Sequence, residues 1–202
     1  MAAVALTTMP ILLDLPMSIR TKRLSLIAQR AGDGDVINAA VADSFAELHR
    51  WMPWAKTRPT ANDTEIFCRE SAAKFLMRSA FEFGIWTPDE RRYVGAIGLH
   101  PHDWNIPRFE IGYWIRTADA GRGFATEAVR ALTDFAMKHV RPARLQIRAE
   151  RENAASRRVA EKSGFELEGI HRKETIGNDG TLRDMCYYAF IPPAAVACRN
   201  SR

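Results

Sequence analysis

Cysteine is scarce in this chain of 202 residues, and the three that occur, Cys68, Cys186 and Cys198, lie far apart. Such spacing fits neither a disulfide framework nor a zinc site. The histidines are also scattered, apart from His100 and His102, and these two have no cysteine nearby. The sequence therefore predicts a protein that binds no metal.

Long apolar runs are absent as well, and none approaches the roughly 20 residues that a helix needs to cross a bilayer. Residues 1–16 are apolar but lack a basic start and include Asp14, which makes them a poor secretory signal. We therefore expect a cytoplasmic protein without a membrane partner. The length predicts one domain over residues 19–192, with a partly disordered leader at 1–18 and a tail at 193–202.

Positive charge is in excess, with a net charge of +5 and a pI near 9.4. A basic balance can favour nucleic acid, a ribosomal surface or a polyphosphorylated small molecule. Arginine and lysine are spread along the chain, without interleaved aromatic residues, which favours a solvated surface. Nucleic acid is the least favoured of these partners.

Apolar periodicity predicts a domain that contains both helices and strands. Strands are predicted over residues 19–27, 81–87, 93–100, 108–116, 144–150, 165–176 and 182–191. Helices are predicted over residues 33–48, 62–79, 124–136 and 153–163. Asn62 and Glu65 have the spacing of a capping box at the start of the second helix, whose apolar positions include Ile66, Leu76 and Met77. Because two pairs of strands form hairpins, the fold class is α/β (α+β), with a mixed, largely antiparallel central sheet flanked by helices.

A glycine-containing segment, residues 121–126, follows a predicted strand and leads directly into the most regular predicted helix. Glycines let the backbone approach a ligand, and the N–H groups and dipole at a helix start attract anions, so a pyrophosphate would bind there. A plain strand-to-helix turn would use the same glycines. A Walker loop would end in Gly-Lys-Ser/Thr and a dinucleotide fingerprint has three glycines, and the segment has neither.

Four segments, in this order, resemble the GNAT N-acetyltransferase superfamily: Glu110-Ile-Gly-Tyr-Trp-Ile115, Gly121-Arg-Gly-Phe-Ala-Thr-Glu-Ala128, Glu152-Asn-Ala-Ala-Ser156 and Glu161-Lys-Ser-Gly-Phe165. Within it the chain is most similar to the RimJ/RimL-type branch, through Thr21-Lys-Arg-Leu24 and Leu48-His-Arg-Trp-Met-Pro-Trp54. The resemblance covers about residues 20–192. It implies a GNAT-like fold, with acetyl-CoA as cosubstrate and no metal.

The resemblance also implies how acetyl-CoA is held. The pyrophosphate would lie in the cradle formed by Gly121, Arg122, Gly123, Phe124, Ala125 and Thr126. The backbone of Ile115 and Arg116 would pair with the pantetheine amides like an added strand. Asn153 would contact the cofactor, although an asparagine there also suits a helix N-cap. The chain departs from the family at Ala120, where Arg or Gln is usual. Because the family contacts the pyrophosphate mainly through the backbone, this departure would affect the affinity for acetyl-CoA and not the identity of the ligand.

Acetyl transfer requires a neutral amine, a stabilised oxyanion and a proton for the departing thiolate. Glu110 would accept the amine proton directly or through water, or it is an ordinary strand carboxylate. The resemblance implies that the Ser156 hydroxyl lies near the sulfur as a proton donor, whereas the residues alone suggest a surface helix position. By resemblance, Glu174 is a further carboxylate near the acceptor. Trp51 and Trp54 would line the acceptor pocket or fill the core.

The function predicted is transfer of an acetyl group from acetyl-CoA to a primary amine by direct attack, without an acyl-enzyme. The acceptor is a protein N-terminus, as the branch suggests, or a small-molecule amine. A non-catalytic acyl-CoA-binding or sensor module is the alternative, for which Ala120 is the motivating feature. A homodimer is compatible with the branch, although no stripe in the sequence identifies an interface.

Overall fold

The chain folds around one sheet, and a computed structural model describes residues 9–193. In that range the strands are β1 (Ser18–Arg20), β2 (Ser25–Ala28), β3 (Phe81–Trp86), β4 (Tyr93–Asp103), β5 (Arg108–Ile115), β6 (Arg144–Glu150), β7 (Glu166–Ile176) and β8 (Leu182–Phe190). The α-helices are α1 (Gly34–Asp43), α2 (Phe45–Trp51), α3 (Ala61–Leu76), α4 (Phe124–Phe135) and α5 (Ala154–Lys162). A short 3-10 turn, Thr117–Asp119, follows β5, and a wide π-turn, Ala136–Val140, continues α4.

The eight strands lie in the order β1-β2-β3-β4-β5-β6-β8-β7. Neighbouring strands are antiparallel except β5 and β6, which are parallel at the centre of the sheet. A parallel pair needs a crossover, and the segment that contains α4 supplies it. The prediction of a mixed, largely antiparallel sheet flanked by helices is confirmed.

Apolar side chains cover the two faces of the sheet in two clusters. Because side chains alternate along a strand, Phe109 and Ile111 join the larger cluster with Val129 and Leu132 of α4. The smaller cluster, on the other face, joins α1 and α3 to the sheet through Ile37, Val41, Cys68, Trp86 and Tyr93. Where β5 and β6 lie side by side, the second face carries polar side chains, which include Glu110 on β5 and Arg148 on β6.

The strand predicted over residues 19–27 is wrong, because the chain reverses within it. β1 and β2 pair with each other, with Ile19 opposite Leu26. The hydroxyl of Thr21 accepts a 2.9 Å hydrogen bond from the N–H of Leu24, which closes the turn. Two short antiparallel strands therefore occupy the place of the single long strand that was predicted.

The helix predicted over residues 33–48 is also wrong, because it is broken at Ser44. Ser44 has φ of −108° and separates α1 from α2. Its side chain is buried, and its Oγ accepts a 3.1 Å hydrogen bond from the N–H of Thr117 in the turn after β5. The break lets this hydroxyl satisfy a backbone group 73 residues away.

The predicted start of α3 is displaced by two residues. Thr60 is the N-cap, and its capping box is with Asp63. Glu65 instead accepts hydrogen bonds from the N–H groups of Gly32 and of Gly34, the first residue of α1. The predicted apolar positions Ile66, Leu76 and Met77 are exposed, and the buried stripe of α3 is Thr64, Cys68, Ser71 and Phe75.

Other elements follow their predictions closely. β6 has the predicted bounds, and α5 is capped by Asn153, as an asparagine at that position indicates. Gly164 ends α5 with φ of +85°, the left-handed conformation expected of a residue just beyond a helix. From Met9 onward the leader lies against the domain, where Leu15 is buried and the carbonyl of Leu13 accepts hydrogen bonds from Arg78.

Candidate active site

The two parallel strands at the centre of the sheet separate after a short stretch of pairing. Their last ladder pair is Glu110 with Gln146, although β5 continues to Ile115 and β6 to Glu150. Past that pair, the facing edges carry backbone groups without a strand partner among residues 9–193. An extended ligand with amides of its own can pair with such an edge.

This gap is the place where pantetheine would bind as predicted. The backbone of Arg116 is already used, because its N–H donates to Val94 and its carbonyl accepts from Asp119. Ile115 lies at the end of β5 itself, opposite Gly95. The predicted pairing therefore depends more on β5 up to Ile115 than on Arg116.

The loop between β5 and α4 bends at two glycines. Gly121 and Gly123 have φ of +74° and +79°, values that favour glycine. Gly123 is the N-cap of α4, so the unpaired N–H groups of the first turn and the positive end of the helix dipole lie here. A Cβ on Gly121 would meet no atom of residues 9–193 within 4 Å, which leaves room for a ligand. The geometry suits a pyrophosphate.

A buried carboxylate holds this loop in place. Asp119 is 2% exposed, and both its oxygens lie 2.6 Å from Nη1 of Arg92. Nη1 of Arg122 donates to the same carboxylate at 2.9 Å. The side chain of Arg122 is thus occupied in supporting the loop and lies over the ring of Phe124.

The turn between β1 and β2 is bound to the first turn of α4. The carboxylate of Glu127 accepts hydrogen bonds from the Thr21 hydroxyl at 2.6 Å and from Nε of Arg23 at 2.6 Å. Burial raises the pKa of Glu127, but these hydrogen bonds outweigh it and the net pKa is lowered. Nη1 of Arg23 also donates to the carbonyl of Arg122. The cradle is therefore supported by a segment about 100 residues earlier in the chain.

Ser156 and Asn153 lie together at the start of α5. The side chain of Asn153 accepts a 3.0 Å hydrogen bond from the N–H of Ser156, so the capping role is present. The Ser156 hydroxyl lies 3.0 Å from the hydroxyl of Tyr113, which also donates to the carbonyl of Ser156. Burial raises the pKa of Tyr113 to about 12. This pair joins β5 to α5.

Glu110 is held by three donors on the second face of the sheet. Its Oε2 accepts hydrogen bonds from Nε of Arg148 at 2.8 Å and from the amide of Gln146 at 2.9 Å, and it lies 3.2 Å from Nε2 of His102. Burial raises the pKa of Glu110, but the three contacts outweigh it and the net pKa is lowered. A carboxylate with a lowered pKa is a weak base at neutral pH.

Glu174 lies farther from the gap than Glu110. It is on β7, which β6 and β8 separate from β5. Its Oε1 accepts a 3.0 Å hydrogen bond from the hydroxyl of Tyr187, and Oε2 lies 3.5 Å from Nδ1 of His171. The two predicted carboxylates therefore have different direct partners, although Tyr187, the partner of Glu174, lies opposite Arg148 on β6.

The two predicted tryptophans differ in environment. Trp54 is 51% exposed, and its ring centroid lies 6.4 Å from that of Trp114 at the end of β5. Trp51 is partly buried, donates to Glu47 at 3.3 Å and packs under the guanidinium of Arg50. Neither ring fills the core, and Trp54 is the one beside the gap.

The turn of the last hairpin contacts the end of α2. The side-chain amide of Asn178 donates to the carbonyl of His49 at 2.8 Å and to that of Met52 at 3.0 Å. We call this contact the bridge. It joins the turn between β7 and β8 to the loop that carries Trp54.

Comparison with known proteins places this geometry in a family. A family model described as an acetyltransferase (GNAT) domain matches residues 23–166. The chain belongs to the GNAT acetyltransferases.

Two relatives and one solved structure illustrate the similarity. The chain is 35% identical over 118 residues to Probable N-acetyltransferase YjcK of Bacillus subtilis, a match that spans 56% of this chain but only 62% of YjcK. It is 28% identical over 144 residues to the Ribosomal-protein-serine acetyltransferase of Escherichia coli, over 71% of this chain and 79% of the relative. A structure of RimL, a ribosomal L7/L12 alpha-N-protein acetyltransferase in complex with coenzyme A, has a TM-score of 0.80 at 21% identity and covers 86% of this chain and 97% of RimL.

The family prediction and its RimJ/RimL-type branch are confirmed, as is the GNAT-like fold. The chain is an acetyl-CoA-dependent N-acetyltransferase. The roles predicted for individual residues stay predictions. The gap and the cradle of this GNAT enzyme fit the cosubstrate, because the edge of β5 suits amides and the start of α4 suits phosphates.

The described part of this GNAT enzyme, residues 9–193, was searched for membrane-spanning helices and for metal-binding groups. Within this range no helix is long and apolar enough to span a membrane. The same residues contain no group of three or more side chains that would suit a metal ion. Cys68 and Cys186 are buried as free thiols, and Cys198 lies outside the described range.

Sequence reasoning missed several residues that shape the site of this GNAT enzyme. Tyr113 was included in a family segment without a role, although its spacing from Glu110 places it on the opposite face of β5. The contact of Asp119 with Arg92 and those of Asn178 with His49 and Met52 gave no signal, because these partners are distant in sequence. Arg148 and Glu150 alternate with the buried residues of β6, which signals a polar face.

Proposed function

We propose that this GNAT acetyltransferase transfers the acetyl group to the N-terminal amine of a protein. The observation that carries the proposal is the bridge, in which Asn178 binds the carbonyls of His49 and Met52. The bridge closes one side of the polar face beside the gap. A thin, extended chain that enters amine first fits such a bounded site better than a bulky small molecule does.

The charge of the enzyme supports the same choice of acceptor. With a net charge of +5, the enzyme repels polycationic small amines, although salt screens this effect beyond about 8 Å. A protein N-terminus brings one positive charge. The name of the Escherichia coli relative, a ribosomal-protein-serine acetyltransferase, agrees with a protein acceptor. A ribosomal acceptor would place the reaction in the cytoplasm, as the sequence predicts.

The chemistry needs no acyl-enzyme. The acceptor ammonium loses one proton, its nitrogen attacks the thioester carbonyl, and the C–N bond forms. When the C–S bond breaks, the thiolate takes up a proton, and the Ser156 hydroxyl at the start of α5 is the donor that we assign. Tyr113, 3.0 Å away, orients that hydroxyl. The second proton of the amine replaces the one that serine gives up, directly or through water.

The test is mass spectrometry after incubation with acetyl-CoA labelled in the acetyl group. The acceptors are peptides that begin with Ser, Ala or Met, the same peptides with a formylated N-terminus and an internal lysine, spermidine and an aminoglycoside. We expect label on free peptide N-termini, with little on formylated peptides. Ser156→Ala serves as the low-activity control. Label restricted to spermidine or the aminoglycoside would overturn the proposal, and so would label on the lysine of formylated peptides alone.

A further inference from the structure

The carboxylate at the end of β6 has the surroundings that the predicted bases lack. Glu150 follows Gln146 and Arg148 at every second position of β6 and therefore shares the face of Glu110. It is the last residue of the strand, at the wide end of the gap between β5 and β6. Its carbonyl accepts a 2.9 Å hydrogen bond from the N–H of Asn153, so the same turn leads from Glu150 to Ser156.

The side chain of Glu150 is largely buried, and one of its oxygens accepts no hydrogen bond from the described residues. It is 11% exposed, and its Oε2 has no hydrogen-bond partner among residues 9–193. Nε of Arg183 lies 3.2 Å from Oε2, so the two side chains form an ion pair, but this nitrogen likewise has no hydrogen-bond partner in that range. A buried carboxylate oxygen that accepts no hydrogen bond retains the capacity to accept a proton, even beside the paired arginine.

Several charged groups face Glu150 from the surrounding elements. Arg183 is on β8, Arg50 is on α2, Asp179 is in the hairpin turn, and Glu152 follows β6. Burial raises the pKa of Glu150, the two arginines oppose this rise, and the two carboxylates add to it. The net pKa is raised, in contrast to that of Glu110. A base works best when its pKa approaches the operating pH.

We propose that Glu150 is the general base that removes the proton from the acceptor amine. This inference rests on the proposed acetyl transfer to an amine. The acceptor N–H bond breaks, its electron pair stays on nitrogen for attack on the thioester, and the proton moves to the carboxylate, directly or through one water. The proton later passes to solvent. Glu110, held by Arg148 and Gln146, instead orders the face on which the acceptor lies.

The main test compares Glu150→Gln with Glu150→Asp and with the exposed control Glu166→Gln. With the labelled peptide acceptors, we expect kcat of Glu150→Gln to fall about 100-fold while KM for acetyl-CoA stays within about twofold. The acidic limb of the kcat/KM profile should disappear in Glu150→Gln and shift in Glu150→Asp. The control should match the wild type. A Glu150→Gln enzyme within about threefold of the wild type, with the same pH profile, would overturn the proposal.

A second measurement does not depend on turnover. In protein labelled with 13C at the glutamate carboxyls, a resonance that titrates above the ordinary range should be missing in Glu150→Gln, whereas that of Glu82, whose pKa is also raised by burial, should remain. A Glu150 resonance that titrates at or below the ordinary value near 4.5 would overturn the inference even if peptides are acetylated. Conversely, failure of the wild type to label any amine, with a raised titration intact, would contradict the proposed function and not the ionisation of Glu150.

Discussion

The hydroxyl of Tyr113 on β5 lies 3.0 Å from the hydroxyl of Ser156 on α5. Because the pKa of Tyr113 is raised to about 12 by burial, the phenol stays protonated over the working pH range. It can therefore hold the serine in one rotamer throughout the reaction.

We expect Tyr113→Phe to lower kcat about tenfold, which corresponds to about 1.4 kcal/mol, with KM for acetyl-CoA nearly unchanged. Ser156→Ala should cost more, about 100-fold. If Tyr113 acts through Ser156, adding Tyr113→Phe to Ser156→Ala should change little further. Steady-state kinetics of the four proteins provide the check. Fully additive effects would show that Tyr113 has a separate role.

Glu110 should make stability depend on pH. Its pKa is lowered in the folded state, so its contribution is present above the ordinary value near 4.5 and is lost as pH falls through the folded value. We expect Glu110→Gln to reduce the free energy of unfolding at pH 7 by about 1 to 2 kcal/mol, and this deficit to shrink below pH 4.5. Urea unfolding at several pH values measures it. Glu70→Gln, which breaks an exposed pair with Lys74, is the control and should show a small effect without that trend.

The regular parts of the fold follow from local patterns, and the breaks do not. α4 was predicted because its apolar residues repeat every three or four positions after two glycines. The break at Ser44 depends on Thr117, and no local pattern announces a partner 73 residues away. The predicted start of α3 is displaced because Thr60 with Asp63 and Asn62 with Glu65 both have the spacing of a capping box, and Glu65 is engaged instead by the N–H groups of Gly32 and Gly34, which are distant in sequence.

The candidate site shows the same division. The cradle and Ser156 could be predicted because each lies within a short segment next to a helix start. The contacts of Glu110 could not be predicted, because its donors come from the strands on either side of β5, namely β4 and β6. The choice of a general base among the carboxylates therefore required the structure. The sequence predicts that Glu110 and Glu150 lie on strands, but it does not show which carboxylate accepts hydrogen bonds.

Gly121 and Gly164 form a matched pair for testing the cradle. Both have positive φ, and a Cβ on either would meet no atom of residues 9–193 within 4 Å. Changing either to Ala should therefore cost a similar backbone strain, about 1 to 2 kcal/mol of unfolding free energy. Only Gly121→Ala should weaken acetyl-CoA binding in calorimetry, because its new Cβ enters the space of the pyrophosphate. Equal affinities in the two variants would argue against a cradle at Gly121.

The bridge gives a prediction specific to the acceptor. Asn178 uses its side-chain nitrogen to bind the carbonyls of both His49 and Met52, so Asn178→Asp removes the donor and places a negative charge beside two carbonyl oxygens. We expect KM for peptide acceptors to rise about tenfold, while KM for acetyl-CoA stays within about twofold because the cradle is on another part of the domain. The exposed Asn105, in the turn before β5, offers Asn105→Asp as the control for an added charge. If the bridge only stabilises the hairpin, Asn178→Asp should lower the midpoint of thermal unfolding and leave both KM values unchanged, and the role assigned to the bridge in admitting a protein N-terminus would then be wrong.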